Sequence, residues 1–268
     1  MNRIVSLLIA LILATCVAGA ALAEEPLRVG MECDYAPFNW TQAEATDTSV
    51  PIENGGYADG YDVQIARRIA DALGRELVIV RTEWDGLTMS LVSGKIDAII
   101  AGMSPTAERA LTIDFSDPYY ESDLVVVVRG DSPYADATTL ADLSGASITG
   151  QLNTFHYSVI GQIPDVQQRP AMESFPAMIV ALNAGAIDGY VSERPGAVSA
   201  VAANPDLTFV SFAEGEGFEA SPEDVAIAVG LAQNSDLLEP INELLATISR
   251  EDRQQMMDDA VASQPLSE

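Results

Sequence analysis

The stretch Leu77–Ile100 reads LVIVRTEWDGLTMSLVSGKIDAII, and it decides the fold class. It opens with the apolar run Leu77–Val80. Apolar residues then recur at helical spacing over Leu87–Val92, and this pattern stops near Gly94, a residue type that often ends helices. A second apolar run, Ile96–Ile100, follows. The order strand, helix, strand predicts an α/β protein with a parallel sheet.

The same alternation continues in both directions along the chain. Further strands are predicted at Leu27–Met31, Leu124–Val128, Ser147–Thr149, Ile187–Val191 and Val225–Gly230, and further helices at Val63–Leu73, near Leu140–Leu143, from Thr154, and at Ala177–Ala184, Gly196–Ala203, Leu237–Ile248 and Asp252–Ala262. Two such arrays predict two lobes. We place lobe one at residues 24–120 plus 227–268 and lobe two at 121–226, with Leu124–Val128 and Val225–Gly230 crossing between them. No internal repeat is apparent.

The first 23 residues have the pattern of a secretory signal peptide. A short positive segment precedes the apolar run Ile4–Val17, and Ala21-Leu22-Ala23 supplies small residues at a cleavage site. A membrane anchor and a lipoprotein joined through Cys16 are the alternatives. The run is shorter than the ~20 residues of a bilayer span, and threonine is unfavourable before a lipidated cysteine. We predict cleavage after Ala23, release to the periplasm, and a mature chain whose single cysteine, Cys33, forms no intrachain disulfide.

The charge balance excludes whole classes of partner. The chain has 13 Lys and Arg residues against 40 Asp and Glu, for a net charge of −27. Binding to nucleic acid or to an anionic membrane needs clustered cations, and this chain lacks them. His156 is the only histidine, and a lone histidine makes no metal site. We expect no metal, no cofactor and no catalysis.

Candidate binding residues follow the predicted strands, because open α/β sheets bind ligands at the carboxyl ends of their strands. Trp84 is added because it precedes the helix Leu87–Val92. The full set of candidates is Glu32, Tyr35, Trp84, Gly102, Ser104, Thr106, Arg109, Gln151, Thr154 and Glu193. This set suits a free amino acid, whose carboxylate and ammonium lose their water only when each is paired.

The chemistry of these residues divides between the two ends of such a ligand. Arg109 offers a planar fork for the carboxylate, helped by Ser104 and Thr106. Gly102 allows the backbone to approach closely. Glu193 offers the counter-charge for the ammonium. The rings of the two candidate aromatic residues can hold the side chain, including a cationic one.

Each residue taken singly also has an ordinary structural interpretation. A Ser or Thr followed by Glu-Arg is often a helix N-terminus with a surface ion pair. Tyr35 and Trp84 fit the core of a lobe, and Glu193 fits an acidic surface. His156 fits a wall residue that makes hydrogen bonds. Only the ensemble favours a binding site.

At these residues the chain resembles the bacterial extracellular solute-binding proteins of family 3, the polar amino acid receptors of ABC importers. The matching segments are Leu27–Phe38 (LRVGMECDYAPF), Gly60–Val63 (GYDV), Trp84–Leu87 (WDGL), Gly94–Asp97 (GKID), Gly102–Arg109 (GMSPTAER), Asp114–Tyr120 (DFSDPYY), Gln151–His156 (QLNTFH), Ile187–Tyr190 (IDGY) and Glu193–Pro195 (ERP). They cover essentially the whole mature chain in order.

The resemblance implies a two-lobe periplasmic-binding-protein (Venus-flytrap) fold with two hinge-crossing strands. It implies that Arg109 binds the α-carboxylate with Ser104 and Thr154, and that the carbonyl of Gly102 accepts from the α-ammonium. It implies that the two aromatic candidates above form an aromatic sandwich. It also implies that Glu32 contacts the polar or cationic end of the ligand's side chain.

Two positions depart from the family pattern. Glu193 stands where the family usually has Asp, which changes the size of the ammonium pocket. Asn153-Thr154-Phe155 replaces the common Gly-Thr-Thr, which removes a hydroxyl and adds bulk. Both departures limit how far a relative's ligand can be carried over to this chain.

From this pattern we expect a monomeric periplasmic subunit of an amino acid ABC importer. It closes its lobes on a cationic or amide-bearing amino acid, and a membrane permease recognises the closed form. The ligand class is a hypothesis motivated by Glu32, because a buried carboxylate needs a donor. The alternative is a periplasmic dehydratase of the cyclohexadienyl type on the same scaffold, since a fold does not fix a function.

Overall fold

The computed structural model describes residues 25–53 and 55–265. Its strands, in chain order, are β1 (Leu27–Met31), β2 (Asp34–Tyr35), β3 (Asn39–Gln42), β4 (Val50–Pro51), β5 (Tyr57–Asp59), β6 (Leu77–Arg81), β7 (Ala98–Ile99), β8 (Asp114–Phe115), β9 (Tyr120–Glu121), β10 (Leu124–Arg129), β11 (Ser147–Thr149), β12 (Gln167–Gln168), β13 (Gly189–Glu193), β14 (Leu207–Val210), β15 (Ala226–Ile227) and β16 (Gly230–Leu231). Its α-helices are α1 (Tyr61–Leu73), α2 (Leu87–Val92), α3 (Phe155–Ser158), α4 (Phe175–Asn183), α5 (Arg194–Ala203), α6 (Leu238–Leu245) and α7 (Arg250–Ser263).

Two five-stranded sheets form the framework. The first has the order β6-β1-β7-β16-β8, in which β1 lies parallel to β6 and β7 and the late strand β16 is antiparallel to its neighbours. The second has the order β12-β11-β13-β10-β14. The chain therefore builds most of the first sheet, builds the second, and returns to the first. The predicted α/β class is confirmed.

The stretch that decides the fold class forms the predicted strand–helix–strand unit. Strand β6 begins at Leu77 as expected and α2 has the predicted bounds, preceded by a 3-10 turn at Trp84–Gly86. Strand β7 is shorter than predicted, because only Ala98 and Ile99 pair with β1. Gly94 ends the helical segment with φ of 73°, a left-handed conformation that glycine adopts without steric penalty.

One of the two crossing strands differs from the prediction, while β15 lies within the predicted Val225–Gly230. The connection is the antiparallel pair of β9 and β15, while β10, which contains the predicted crossing strand Leu124–Val128, is an inner strand of the second sheet. Val125 and Val127 pack into one hydrophobic cluster and Val126 into another. A strand buried on both faces is apolar at every position, so its sequence alone does not show whether it crosses.

Other sequence predictions stay open or fall outside the structure. The sheets draw their strands from residues 27–115 with 230–231 and from residues 124–210, and the exact lobe boundaries stay a prediction. The signal segment 1–23 with Cys16 lies outside the described residues. Within residues 25–53 and 55–265, no helix is long and apolar enough to cross a membrane.

Candidate functional site

A cavity lies between the two sheets, where the residues predicted for ligand binding converge. Its lining residues are Tyr35, Trp84, Gly102, Ser104, Arg109, Gln151, Thr154, Phe155, His156 and Glu193. Eight of these were predicted, while Phe155 and His156 add to the wall. The free space between the side chains is about 10 Å³, close to the room that one water molecule needs. The structure is therefore closed, and an amino acid can enter only when the lobes separate.

Arg109 is the positive group of this cavity. A 3-10 turn begins at Arg109, and its backbone N–H donates to the hydroxyl of Thr106 at 3.4 Å. The guanidinium donates to the carbonyl of Ser104 at 2.8 Å and to that of Asn153 at 3.1 Å, and its carbon lies 5.0 Å from the centre of the Trp84 ring. Burial lowers the pKa of Arg109 to about 10.

The charge on Arg109 is not neutralised by an ion pair. Among the residues that the structure describes, no carboxylate lies within ion-pair distance of its guanidinium. Both partners that hold it are backbone carbonyls, one beside each sheet. A half-buried cation that makes no ion pair favours an incoming anion, and its planar fork matches a carboxylate.

Glu193 is the negative group at the end of β13, and it is 3% exposed. One carboxylate oxygen accepts from the hydroxyl of Tyr35, and the other lies 2.7 Å from Nε2 of His156. Burial raises the pKa of Glu193, but the charge of His156 and these hydrogen bonds lower it below its ordinary value overall. A carboxylate oxygen accepts more than one hydrogen bond, so a ligand's ammonium can join or displace these partners.

The two rings predicted to hold the ligand each contact a protein group. Tyr35 stacks on Phe175, with ring centres 4.1 Å apart and planes 10° from parallel. Phe175, which begins α4, was not predicted. Trp84 lies against the guanidinium of Arg109. One face of each predicted ring therefore already contacts the protein, and the other face is available to contact the ligand.

Two predicted residues lie outside the cavity lining. Thr106 supports Arg109 through the backbone contact described above. Glu32, which follows β1 and is 5% exposed, accepts from Nε2 of Gln151 at 3.1 Å, so it lies directly behind the lining. Thr154 donates its hydroxyl to the carbonyl of Gln151 at 2.7 Å and thereby fixes the loop that follows β11.

A buried polar network supports the cavity floor at Gly102. The N–H of Gly102 donates to the hydroxyl of Tyr119 at 3.3 Å, and this hydroxyl donates to Asp62 at 2.7 Å. The amide of Asn39 donates to the other oxygen of Asp62 at 2.8 Å. Burial raises the pKa of Asp62 to about 6, although these hydrogen bonds lower it. Gly102 has φ of 61°, and a Cβ there would lie 2.9 Å from Cε1 of Tyr35.

A larger hollow of about 310 Å³ lies beside the crossing strands, but its chemistry is structural. Its lining residues are Pro118, Tyr120, Glu121, Ile248, Arg250, Arg253 and Gln254. Arg253 donates to the carbonyls of Pro118, Leu245 and Ile248, so its donors hold the fold together. Within the described residues, no cluster of His, Cys, Asp and Glu could hold a metal ion.

Known proteins are similar to this chain in sequence, and solved structures are similar to it in fold. A probable histidine-binding protein of Campylobacter jejuni is 34% identical over 197 residues, covering 72% of this chain and 70% of its own length. The ABC transporter arginine-binding protein 1 of Escherichia coli is 28% identical, covering 94% and 97%. The crystal structure of an amino acid ABC transporter substrate-binding protein from Streptococcus pneumoniae, bound to L-arginine, is 29% identical with a TM-score of 0.77, covering 89% and 94%.

These likenesses agree with the resemblance seen in the motifs, and the two-lobe fold that it implied is confirmed. The family description "Bacterial extracellular solute-binding proteins, family 3" matches residues 27–260, which is most of the chain. The chain belongs to the bacterial extracellular solute-binding proteins of family 3.

Proposed function

We propose that this chain binds a free polar amino acid with a cationic or amide side chain and delivers it to an ABC importer. The observation that carries the proposal is the pair of opposite charges in one closed cavity. Arg109 has no ion-pair partner within residues 25–53 and 55–265, and Glu193 lies at the end of a strand of the other sheet. A zwitterion presents a carboxylate and an ammonium that complement these two groups.

Ligand docks first on the lobe of the first sheet. Arg109 takes the α-carboxylate, with Ser104 beside it, while Tyr35 and Trp84 supply ring surface. The lobes then close and bring Thr154 and Glu193 across, so that each ionic group is paired as water leaves. Hinge closure around a ligand is how periplasmic binding proteins work in general. Micromolar affinity needs only about −8 kcal/mol.

The ligand's side chain reaches toward Glu32 and Gln151, which lie at the carboxyl ends of β1 and β11. A carboxylate and an amide accept from a guanidinium, an ammonium or an amide. Supporting this class, the relatives described above are named histidine- and arginine-binding proteins, and one solved relative holds L-arginine. The departures at Glu193 and Phe155 make the exact ligand a matter for measurement.

The surrounding system follows from this role. We propose that the segment 1–23 is cleaved, that the mature protein works in the periplasm as a monomer, and that a membrane permease recognises the closed form. The named ABC transporter relatives support this context. The strongly acidic chain, with net charge −27, suits a soluble protein that does not bind anionic lipid.

Calorimetric titration of the purified protein tests the proposal. Arginine, lysine, histidine, glutamine and glutamate form the panel, and we expect saturable binding of one or more of the first four. Preference for glutamate would overturn the side-chain class. Failure of every amino acid to bind would overturn the function itself.

The dehydratase alternative predicts turnover. Glu193 and His156 form a buried pair that could donate a proton, but both relatives named above are binding proteins. Incubation with prephenate or arogenate separates the two functions, because we expect no product from either compound.

A further inference from the structure

Glu32 is a buried carboxylate that the protein leaves half satisfied. Its Oε1 accepts from the amide of Gln151, whereas its Oε2 is buried with no hydrogen-bond partner. Leaving a buried acceptor unpaired is unfavourable, and more so when it is ionised. An acceptor of this kind directly behind the wall of a binding cavity indicates that a donor from outside the protein completes it.

The charges around Glu32 are mostly negative. Burial is the largest influence and raises its pKa to about 8, and Asp34, Glu83 and Asp85 raise it further, while the hydrogen bond from the wall amide lowers it. Arg81 is the nearby cation; it acts on Asp34, yet burial keeps the pKa of Asp34 raised as well. Near neutral pH, Glu32 therefore carries a proton until a cation arrives.

Gln151, whose amide contacts Glu32, lies on the side of the cleft that the second sheet forms. Gln151 follows β11 of the second sheet, whereas Glu32 follows β1 of the first, so separation of the lobes breaks their contact and exposes Glu32 to an entering ligand. The remaining ionic groups of the cavity are Arg109 and the pair of Glu193 with His156. These groups face the amino and carboxyl ends that all amino acids share.

We propose that Glu32 distinguishes ligands by charge through proton exchange. A guanidinium or ammonium end group binds Glu32 as a carboxylate, and one proton leaves the site for solvent. A neutral amide end group binds Glu32 as the protonated acid, whose O–H donates to the amide carbonyl, and no proton leaves. This inference rests on the proposed function and adds a proton balance to it.

The sign of the pH dependence follows from that balance. Below the pKa of about 8, a cationic ligand must displace a proton, so its affinity rises about tenfold per pH unit up to that pH and then levels off. A glutamine ligand shows no such rise from Glu32. The other groups of the cavity face the amino and carboxyl ends that both ligands share, so the ratio of arginine to glutamine affinity isolates Glu32.

Calorimetry at pH 7 in buffers of different ionisation enthalpy counts the protons directly. We expect arginine to release more protons than glutamine, by up to one per site, because Glu32 gives up its proton to a cationic ligand and keeps it for a neutral one. The variant Glu32→Gln should release no excess proton and should bind arginine at least tenfold more weakly at pH 8, with glutamine binding changed by less than threefold.

Glu44→Gln is the matched control, because it makes the same chemical change on an exposed residue outside the cavity lining. It should keep the release of a proton by arginine. Equal proton release by arginine and glutamine would overturn the inference while leaving the proposed function intact. If arginine binds and glutamine does not, equal proton release by the original protein and Glu32→Gln would overturn the inference. If no amino acid binds, the proposed function itself fails.

Discussion

Replacing Arg109 by Met separates the binding role of this residue from its structural role. The substitution keeps an unbranched side chain of similar length and removes the charge. Arg109 is the cavity's cation without an ion pair among the described residues, and it donates to the carbonyls of Ser104 and Asn153. Affinity and stability are expected to respond very differently.

The loss of affinity is large. Removing one partner of a buried ion pair costs about 3–5 kcal/mol, which corresponds to a factor of about 150 to 4,000 in Kd. The ligand's carboxylate would enter the cavity with no cation to meet it. We expect every amino acid that binds the unchanged protein to lose affinity by this factor, whatever its side chain.

The effect on the unliganded protein is small because two contributions oppose each other. The fall in the pKa of Arg109 from 12.5 to about 10 corresponds to about 3 kcal/mol against the charged form in the folded state, and Arg109→Met removes that penalty. It also removes two charge-assisted hydrogen bonds of about 1.5–3 kcal/mol each. We expect the free energy of unfolding to change by less than about 3 kcal/mol.

Urea denaturation without ligand and calorimetry with ligand measure the two effects. Arg67→Met is the matched control, since Arg67 also donates to two backbone carbonyls, those of Asp47 and Ser49, but does not line the cavity. It should leave affinity unchanged. Arg109→Lys, which keeps the charge without the fork, should fall between. A folded Arg109→Met protein that binds within fivefold of the original would refute the carboxylate role.

Three further perturbations test the supporting structure. Tyr119→Phe removes the hydroxyl that donates to Asp62 and accepts from the N–H of Gly102, so the free energy of unfolding in urea should fall by about 1–3 kcal/mol; a fall below 0.5 kcal/mol would contradict the network. Gly102→Ala places a methyl 2.9 Å from the Tyr35 ring in a left-handed backbone, so affinity should fall at least tenfold with a small loss of Tm, and unchanged affinity would show that the floor does not position the ring. The folded-state pKa of Glu32 is raised from 4.5 to about 8, so its contribution to stability is complete below about pH 4.5 and is lost as the pH rises through 8. Chemical denaturation at pH 5 and pH 8.5 should therefore show a weaker pH dependence for Glu32→Gln than for the original protein, by at most about 5 kcal/mol. Parallel pH profiles would contradict the raised pKa.

The sequence was sufficient for elements that have a distinct pattern. Apolar runs bounded by glycine located β6 and α2 because a strand and a helix have different periods. It was insufficient for connectivity, since β10 is equally apolar whether it crosses between lobes or lies inside a sheet. Only its pairing with β13 and β14 shows its place.

The binding residues were predictable where they follow strands, and Phe175 was missed because it begins a helix. A signal for it does exist in the sequence. Trp84 stands ten residues before Gly94 in GKID, and Phe175 stands ten residues before Gly185 in GAID. Both glycines have positive φ, 73° and 70°. The expectation that the chain has no internal repeat was therefore wrong at this supersecondary unit.

The repeat extends to the hydrogen bonds that fix each unit to its sheet. Asp97 accepts from the backbone N–H of Arg28 at 2.9 Å, and Asp188 accepts from that of Ser147 at 2.8 Å. Each carboxylate thus ties the start of a strand to the first residues of its neighbour. Corresponding units in the two lobes thereby carry Trp84 and Phe175 to the two sides of one cleft.

Although the frameworks correspond, the charges they present are opposite, and this difference favours a zwitterionic ligand between them. Arg109 accompanies the first sheet and makes no ion pair with the residues that the structure describes, while Glu193 ends β13 of the second sheet and draws on Tyr35 and His156 for partners. A direct pair between the two would close the cleft without a ligand. An amino acid inserts one charge of each sign between them, so each group gains an opposite charge from the zwitterion.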